Sequence, residues 1–492
     1  MEQFEVMETT IACVREAMLK GRLTARELVR AYLDRIEAFE TQGPAINAII
    51  MINPNALDEA DHLDRAFQKT GNLQGSLHGI PVMLKDNVNT KDMATTAGSK
   101  SLQGYIPADD AFITKKLRQA GAIILAKTNL HEFAIWGETI SSMLGQTVNP
   151  YDLTRTPGGS SGGTAAVIAC NIGIIGIGTD TINSIRSPAS ACSLVGIRPT
   201  IGLVSRSGIV PYSLTQDTAG PICRTVEDCV RTLDVIAAYD PDDEQTAWSA
   251  KRRPVSYMPY LRPDGLKGKR LGVLESFFGR ESINQPVHEV MREAMLYFEE
   301  GGATLIPIAD DIDSDWMIKE VSVHLDDLKT HLNDYLSKLG PNAPVHSVEE
   351  IIASGKYHPG IEDNLKAALK LDVGTPVYNR KLIRQAEMRT RIMKIMADHK
   401  LDALIYPHQQ QLVCKIGSGQ KQRNGVLCSA TGFPSIAVPA GFAPVPEAPI
   451  GVPIGLEIAG RPFSEPVLIE IAYGFEQISC LRRPPASAPA LT

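Results

Sequence analysis

The sequence lacks long hydrophobic runs, paired cysteines and blocks of like charge. No apolar run reaches the roughly 18 residues that a membrane-spanning helix needs. The amino-terminal text MEQFEVMETT is acidic and has no apolar stretch of the kind found in secretory signal peptides, so none is expected. The net charge of −7 is spread along the chain, which argues against nucleic acid or a membrane surface as the main partner.

The eight cysteines are scattered, and no CxxC or Cys/His spacing typical of a metal site occurs. Several lie in apolar text, so we expect reduced core residues in a cytoplasmic protein. Hydrophobic residues make up 43% of the 492-residue chain, which is ample for a packed core. We interpret residues 1–492 as a single domain, although the length alone allows up to about three.

A glycine-rich stretch at 158–163 reads Gly-Gly-Ser-Ser-Gly-Gly, which is too rich in glycine for regular structure. The text after it predicts a short helix over 164–170 and a fully buried strand over 172–178, followed by a polar loop. Because the strand runs antiparallel to the helix, both loops are expected at one edge of the sheet. Ser160 and Ser184 should therefore be neighbours, where α/β sheets place their sites.

Lys85 ends another apolar run, which predicts a second buried strand. Burial disfavours the charged form of a lysine and lowers its pKa. A neutral lysine can take a proton from a serine hydroxyl, directly or through a second serine. This pattern predicts a relay with Lys85 as the base, Ser160 as the bridge and Ser184 as the nucleophile.

Several separate motifs, in the right order, resemble the amidase signature family of serine hydrolases over most of the chain. They are GIPVMLKDN (79–87), AKTNL (126–130), TPGGSSGG (156–163), GTDTINSIRSPASACSLVGIRPT (178–200), DTAGP (217–221) and GFPS (432–435). The text, notably GLVSR at 202–206, is closest to stand-alone peptide amidases and aryl acylamidases. The resemblance implies an amidase acting through a Ser184 acyl-enzyme, with a small-molecule or short-peptide amide as substrate. It implies no metal or organic cofactor, and relatives are often homodimers.

The nucleophile loop departs from the family pattern at Ile182 and Asn183, where the family usually has two glycines or Asp-Gly. Glycine permits a positive φ beside an oxyanion, but β-branched isoleucine does not, so we expect a negative φ at Ile182. The oxyanion hole can still form, because its donors are the main-chain N–H groups of Thr181, Ile182, Asn183 and Ser184. A non-catalytic relative with an altered oxyanion loop is the alternative.

Asp180 and Arg186 flank this loop, and the resemblance implies that they support it, together with Ser161. The alternative for the Asp180–Arg186 pair is a structural ion pair with no effect on the rate. Four further residues are predicted to face the substrate: Ala134, Ile135, Trp136 and His408. Core packing is the alternative for the first three, and a polar surface loop is the alternative for His408.

Strands and helices alternate through residues 47–126, which predicts an α/β fold. We expect a large mixed, mostly parallel central sheet with helices on both faces, as in the amidase signature fold. Residues 70–240 would form the core that carries the catalytic residues. Residues 312–400 are mostly helical in pattern and more charged, and we interpret them as a cap that sets substrate preference.

Other functions fit parts of the sequence less well. Read alone, the glycine-rich loop fits a linker or an anion-binding nest, but it lacks the Gly-Lys-Ser/Thr of a Walker loop. A Ser-His-Asp hydrolase is disfavoured because no G-x-S-x-G motif occurs. Within the family, the amidotransferase subunit of a tRNA-amidating complex shares the same relay, and it remains the alternative function. That reading would give this chain an RNA-binding partner.

Overall fold

The computed structural model describes residues 4–491, which form fifteen α-helices and thirteen β-strands within that range. The helices are α1 (Ile11–Leu19), α2 (Ala25–Ile36), α3 (Ala56–Thr70), α4 (Phe112–Gln119), α5 (Gly162–Ala169), α6 (Arg186–Ala191), α7 (Val226–Ile236), α8 (Gln285–Glu300), α9 (Ser314–Glu320), α10 (His324–Leu336), α11 (Val348–Ser354), α12 (Glu362–Ala368), α13 (Pro376–Asp398), α14 (Val426–Thr431) and α15 (Glu465–Ser479). The strands are β1 (Ile49–Ile52), β2 (Pro81–Lys85), β3 (Ile123–Thr128), β4 (Ile140–Ser141), β5 (Gly145–Gln146), β6 (Ile175–Asp180), β7 (Val195–Arg198), β8 (Thr218–Cys223), β9 (Arg270–Leu274), β10 (Thr304–Ile308), β11 (Ala403–Pro407), β12 (Ser435–Val445) and β13 (Ala448–Ala459).

Eleven strands form one sheet, in the order β1-β3-β2-β6-β8-β7-β12-β13-β11-β9-β10. The predicted large mixed sheet is confirmed, but the expected parallel majority is wrong. Six of the ten neighbouring pairs are antiparallel and four are parallel. One cause is the β12–β13 hairpin, because a two-residue connection at 446–447 joins only antiparallel strands. The other is the insertion of β8 and β7 between β6 and β12, each antiparallel to its neighbours.

Helices pack against this sheet, and the most deeply buried of those described next is α5. Helix α5 contacts β2, β6 and β8, while α8 and α15 contact β12. The α5 sequence GGTAAVIA is buried along its whole length, which explains its small and apolar composition. A Cβ at Gly163 would collide with the Asn129 carbonyl, so the helix can lie this close to its neighbours only with glycine there.

Residues 312–400 contain the helices α9 to α13. The buried faces of α10, α11 and α12 form one hydrophobic cluster with residues of the chain near the nucleophile loop. Phe133 and Tyr212 belong to this cluster, as do Leu328 of α10 and Leu365 of α12. The helical segment therefore packs directly against the segment 133–135.

Two parallel neighbouring strands bring the signature motifs together. Strands β2 and β6 pair in parallel, with Leu84 opposite Ile177. Their carboxyl ends, at Lys85 and Asp180, therefore lie at the same edge of the sheet. The strand predicted over 172–178 begins three residues later and ends two residues later, and its end places Thr179 and Asp180 at this edge.

Candidate active site

Lys85 is fully buried and its amine is held by a small set of polar atoms. Its Nζ lies 2.7 Å from Ser160 Oγ, 2.8 Å from Thr179 Oγ1 and 3.4 Å from the Thr179 carbonyl oxygen. A neutral amine has two N–H donors and one lone pair. If both N–H groups donate to the Thr179 oxygens, the lone pair faces the Ser160 hydroxyl and can accept its proton.

Burial lowers the pKa of Lys85 to about 7, against the opposing negative charges of Asp180 and Asp217. The ordinary pKa of a lysine is near 10.4, so an exposed lysine would be almost fully protonated at neutral pH. With a pKa of about 7, a large fraction of Lys85 is neutral at pH 7 and is available as a base.

Ser160 lies in the glycine-rich loop before α5, after a cis peptide bond from Gly159. The Ser160 carbonyl oxygen accepts a hydrogen bond of 3.0 Å from the N–H of His131, the residue that follows the AKTNL segment. Ser161 holds the loop from the other side, because its Oγ contacts both the Thr179 N–H (3.3 Å) and the Thr179 carbonyl oxygen (3.2 Å). Both serine side chains are buried.

Ser184 lies in the loop that follows β6, next to the glycine-rich loop. The Ser161 N–H donates to the Ser184 carbonyl oxygen at 3.3 Å, so the two loops are in direct contact. Ser184 is 5% exposed and lines a cavity of about 90 Å³. Its hydroxyl makes no hydrogen bond within residues 4–491, so Lys85 and Ser160 are hydrogen-bonded whereas Ser160 and Ser184 are only neighbours.

The nucleophile loop presents unused main-chain donors. Among the described residues, the N–H groups of Thr181, Ile182, Asn183 and Ser184 donate no hydrogen bond. In that part of the chain neither Ile182 nor Asn183 has a positive φ, which agrees with the backbone expected for Ile182. The Ile182 side chain packs instead against the hydrophobic cluster that contains Met317 of α9. The loop thus keeps free donors without glycine.

A buried ion network holds the base of this loop. Asp180 receives two hydrogen bonds from Arg186, at 3.0 and 3.1 Å, and one from Arg198 at 2.7 Å. Arg186 also donates to Glu457 Oε2 (2.7 Å) and to the Ile182 carbonyl oxygen (2.7 Å). All four charged side chains are completely buried. The predicted Asp180–Arg186 pair is therefore part of a larger network that contacts the loop backbone directly.

The pKa values of the two carboxyl groups follow from this pairing. Burial alone would raise the pKa of Asp180, but the charges of Arg186 and Arg198 outweigh it and hold the pKa below its ordinary value. For Glu457, burial is likewise opposed by Arg186 and His408, which lower its pKa to about 2. Both groups are ionised at neutral pH, so the two arginines remain paired.

The cavity beside Ser184 is lined by three of the four residues predicted to face the substrate, Ala134, Ile135 and Trp136. His408 is placed elsewhere. Its ring is fully buried, its Nδ1 lies 2.6 Å from Glu457 Oε1, and it does not line this cavity. It is therefore not part of an exposed surface loop. The strand β13 carries the glutamate that holds His408 inside the protein.

Several site residues were not found from the sequence. They are Thr179, which contacts Lys85; Asp217, which accepts from Thr181 Oγ1 at 2.6 Å; and Arg198 and Glu457 of the ion network. The signal for Glu457 was an ionisable residue inside buried, apolar text. Such a residue rarely occurs without a partner, but its partner Arg186 is distant in sequence. Asp217 stands in polar text, which gives no such signal.

Residues 4–491 contain no group of three or more His, Cys, Asp or Glu side chains placed to hold a metal ion. In the same range, no helix combines the length and the apolar composition needed to cross a membrane.

Known proteins resemble this chain over nearly its whole length. The family model "Amidase" matches residues 27–469. A probable amidase of Arabidopsis thaliana is 37% identical over 98% of this chain and 92% of its own length. A glutamyl-tRNA(Gln) amidotransferase subunit from Thermoanaerobacter pseudethanolicus is 34% identical over 96% of this chain and 97% of its own. The solved peptide amidase of Stenotrophomonas maltophilia superposes with a TM-score of 0.88 and 37% identity, over 98% and 99% of the two chains.

The chain therefore belongs to the amidase signature family. Its family and its structural neighbours show that it is an enzyme that hydrolyses amides.

Proposed function

We propose that the protein cleaves a carboxylic amide C–N bond through an acyl-enzyme on Ser184. The Lys85 amine takes the proton of Ser160, which takes the proton of Ser184, and Ser184 Oγ attacks the amide carbonyl carbon. The negative charge that forms on the carbonyl oxygen is bound by main-chain N–H groups of the loop Thr181–Ser184. The proton then returns through Ser160 to the amine, which leaves as the C–N bond breaks. Water hydrolyses the acyl-enzyme by the same proton path.

The observation that carries this proposal is the contact of 2.7 Å between Lys85 Nζ and Ser160 Oγ, made by a lysine whose pKa burial lowers to about 7. Free donors beside Ser184 support it, because a loop whose N–H groups are already used could not bind an oxyanion. The missing contact between Ser160 and Ser184 is compatible with the relay, since catalytic hydrogen bonds often tighten only when substrate is bound.

A second candidate function comes from the relatives that belong to amidotransferase complexes, at 34% identity over nearly the full length. In that role the same serine would release ammonia from glutamine for use by a partner. We favour the stand-alone amidase, because the chain superposes on a peptide amidase over 98% of its length at higher identity. Measurable glutamine hydrolysis only in the presence of partner subunits would reverse this preference.

The helical segment, the cysteines and the size of the cavity complete the proposal. We interpret the helical segment 312–400 as the cap of a single domain, since it packs on residues 133–135 beside the nucleophile. All eight cysteines are free thiols, as suits a reducing compartment such as the cytoplasm. The substrate is expected to be a small-molecule or short-peptide amide, because the cavity of about 90 Å³ beside Ser184 is small.

Covalent labelling tests the relay. We expect a fluorophosphonate probe to react with wild-type protein and mass spectrometry to place the adduct on Ser184. The Ser184→Ala variant should not be labelled, and Ser160→Ala and Lys85→Ala should be labelled at least about a hundredfold more slowly. Circular dichroism of each variant separates a lost relay from a lost fold. A folded wild type that is not labelled would contradict the proposal and favour the non-catalytic alternative.

A further inference from the structure

The cavity beside Ser184 contains one cation without a partner. Arg423 lines this cavity and is half-buried. In the part of the chain that the structure describes, its guanidinium makes no hydrogen bond and no ion pair. The nearby Glu138 carboxylate is used by other donors, the N–H groups of Gly137 and Gln420. Structural arginines in partly buried positions are normally paired, so this one is available to a ligand.

The guanidinium is also held in place. It lies over the indole ring of Trp136, 5.6 Å from the ring centroid. Trp136 is fixed from its other end, because its Nε1 donates to Asn364 Oδ1 of α12 at 2.8 Å. An arginine stacked on an aromatic ring loses little further freedom when it binds an anion. The guanidinium N–H donors of Arg423 are therefore preorganised at the cavity.

Two other polar groups of the same cavity lack intramolecular partners. Asn183 Nδ2 and the Tyr212 hydroxyl are buried and make no hydrogen bond among the described residues. An amide Nδ2 is a donor only, a guanidinium is a donor only, and a phenol can donate. Among the described residues, no carboxylate lines this cavity. Burial lowers the pKa of His324, which also lines the cavity, to about 3, so its ring is neutral. The cavity is thus rich in donors, with a single positive charge.

We propose that the preferred amide substrate carries a carboxylate, bound by Arg423 with help from Asn183 Nδ2. This inference rests on the proposed function, in that the carboxylate belongs to the same molecule whose amide Ser184 attacks. A carboxylate is the small group that matches a planar fork of donors. A neutral group of the same size would leave the cation without a counter-charge. Arg423 is accordingly a residue that determines specificity.

Binding to the non-turnover variant Ser184→Ala tests the inference without relying on hydrolysis. Monoamides of dicarboxylic acids, of increasing chain length, are compared by calorimetry with the neutral diamides of the same length. We expect at least one monoamide to bind about tenfold to a hundredfold more tightly than its diamide. Adding Arg423→Gln should remove this preference, and adding Arg423→Lys should retain part of it. Lys421→Gln, an exposed charge two residues away, is the matched control and should leave the preference unchanged.

Each outcome supports or overturns the inference. Equal binding of every monoamide and its diamide, no binding of any monoamide, or a preference that survives Arg423→Gln would overturn it. Failure of the proposed function has a different signature, because it would remove the labelling of wild-type Ser184 while the carboxylate preference of the cavity remained. Labelled Ser184 without any carboxylate preference would overturn only the inference.

Discussion

At the residue scale, the decisive property of Lys85 is that it loses its charge near neutral pH. Its contacts with Ser160 and Thr179 are compatible with either protonation state, so geometry alone does not set the direction of proton transfer. Burial favours transfer from the serine to the lysine, because it penalises the ammonium form of Lys85 more strongly than Asp180 and Asp217 stabilise it. The burial that lowers the pKa of the proposed base comes from its place at the end of the buried strand β2.

This property predicts the pH dependence of the reaction. Only neutral Lys85 can accept a proton, so the rate of Ser184 labelling should rise with pH, reach half its maximum near pH 7 and level off above. Below the midpoint it should fall about tenfold per pH unit. The labelling rate between pH 5 and 9 gives the profile, and a rate independent of pH down to 5 would contradict lysine as the base.

A variant of Thr179 provides the control. Thr179 Oγ1 accepts a hydrogen bond from Lys85, which stabilises the charged form of the amine. The near-isosteric Thr179→Val removes this acceptor and should move the midpoint to lower pH. A midpoint that stays in place would show that another group titrates.

At the element scale, the nucleophile loop depends on strands that are distant in sequence. Arg186, at the start of α6, contacts the Ile182 carbonyl oxygen and is held there by Asp180 of β6 and Glu457 of β13. Glu457 in turn receives hydrogen bonds from two residues that lie in or just after β11, Tyr406 and His408. The order of strands across the sheet therefore determines the shape of the loop Thr181–Ser184, the proposed oxyanion site.

Glu457→Gln tests this dependence. The change leaves a buried excess of positive charge on Arg186 and Arg198, which should lower the free energy of unfolding by about 3 kcal/mol at pH 7. Since the folded pKa of Glu457 is depressed to about 2, this contribution is present above its unfolded value and is lost as pH falls toward 2. We also expect slower labelling of Ser184, because Arg186 would hold the loop less firmly.

Urea unfolding and labelling rates measure both effects. Glu447→Gln is the matched control, because Glu447 is half-exposed between β12 and β13 and its ion pair with Lys415 is 3.6 Å long. Exposed pairs contribute roughly 1 kcal/mol or less. Equal stabilities for the two variants would refute a supporting role for the network.

The helices and strands also show how much of the fold could be predicted from the sequence. Local signals gave reliable results: the helix predicted over 164–170 is found as α5, Gly162–Ala169, and the buried strand predicted to end at Lys85 is β2. Strand direction was not predictable, because a buried apolar run reads the same in parallel and antiparallel pairs. Strands β7 and β8 were missed, since β7 is only four residues long and β8 contains both glycine and proline.

The same limit applied to the candidate site. Lys85, Ser160 and Ser184 stand in motifs with a chemical meaning of their own, and the structure places them at one edge of the sheet. Glu457 and the true surroundings of His408 depend on which strands are neighbours. Nothing local in the sequence specifies that β13 pairs with both β11 and β12.

At the scale of the whole molecule, the amino-terminal helix is attached to the core by a buried carboxyl group. Asp228 of α7 accepts a hydrogen bond of 3.0 Å from the Ile11 N–H at the start of α1. Its other oxygen has no partner among the described residues. Burial therefore dominates, and it raises the pKa of Asp228 to about 6 against the opposing charge of Arg224.

This buried carboxyl group predicts that the free energy of unfolding depends on pH. The folded pKa of Asp228 lies above its unfolded value, so the stability that it contributes is fully present below about pH 4 and is lost as pH rises to about 6. Asp228→Asn cannot ionise and escapes this loss, at a cost that does not depend on pH. The free energy of unfolding of the variant minus that of wild type should therefore increase by about 3 kcal/mol between pH 4 and 6 and stay constant above. Urea unfolding of both proteins across this range measures the difference, and a difference that does not change with pH would mean that Asp228 titrates normally in the folded protein.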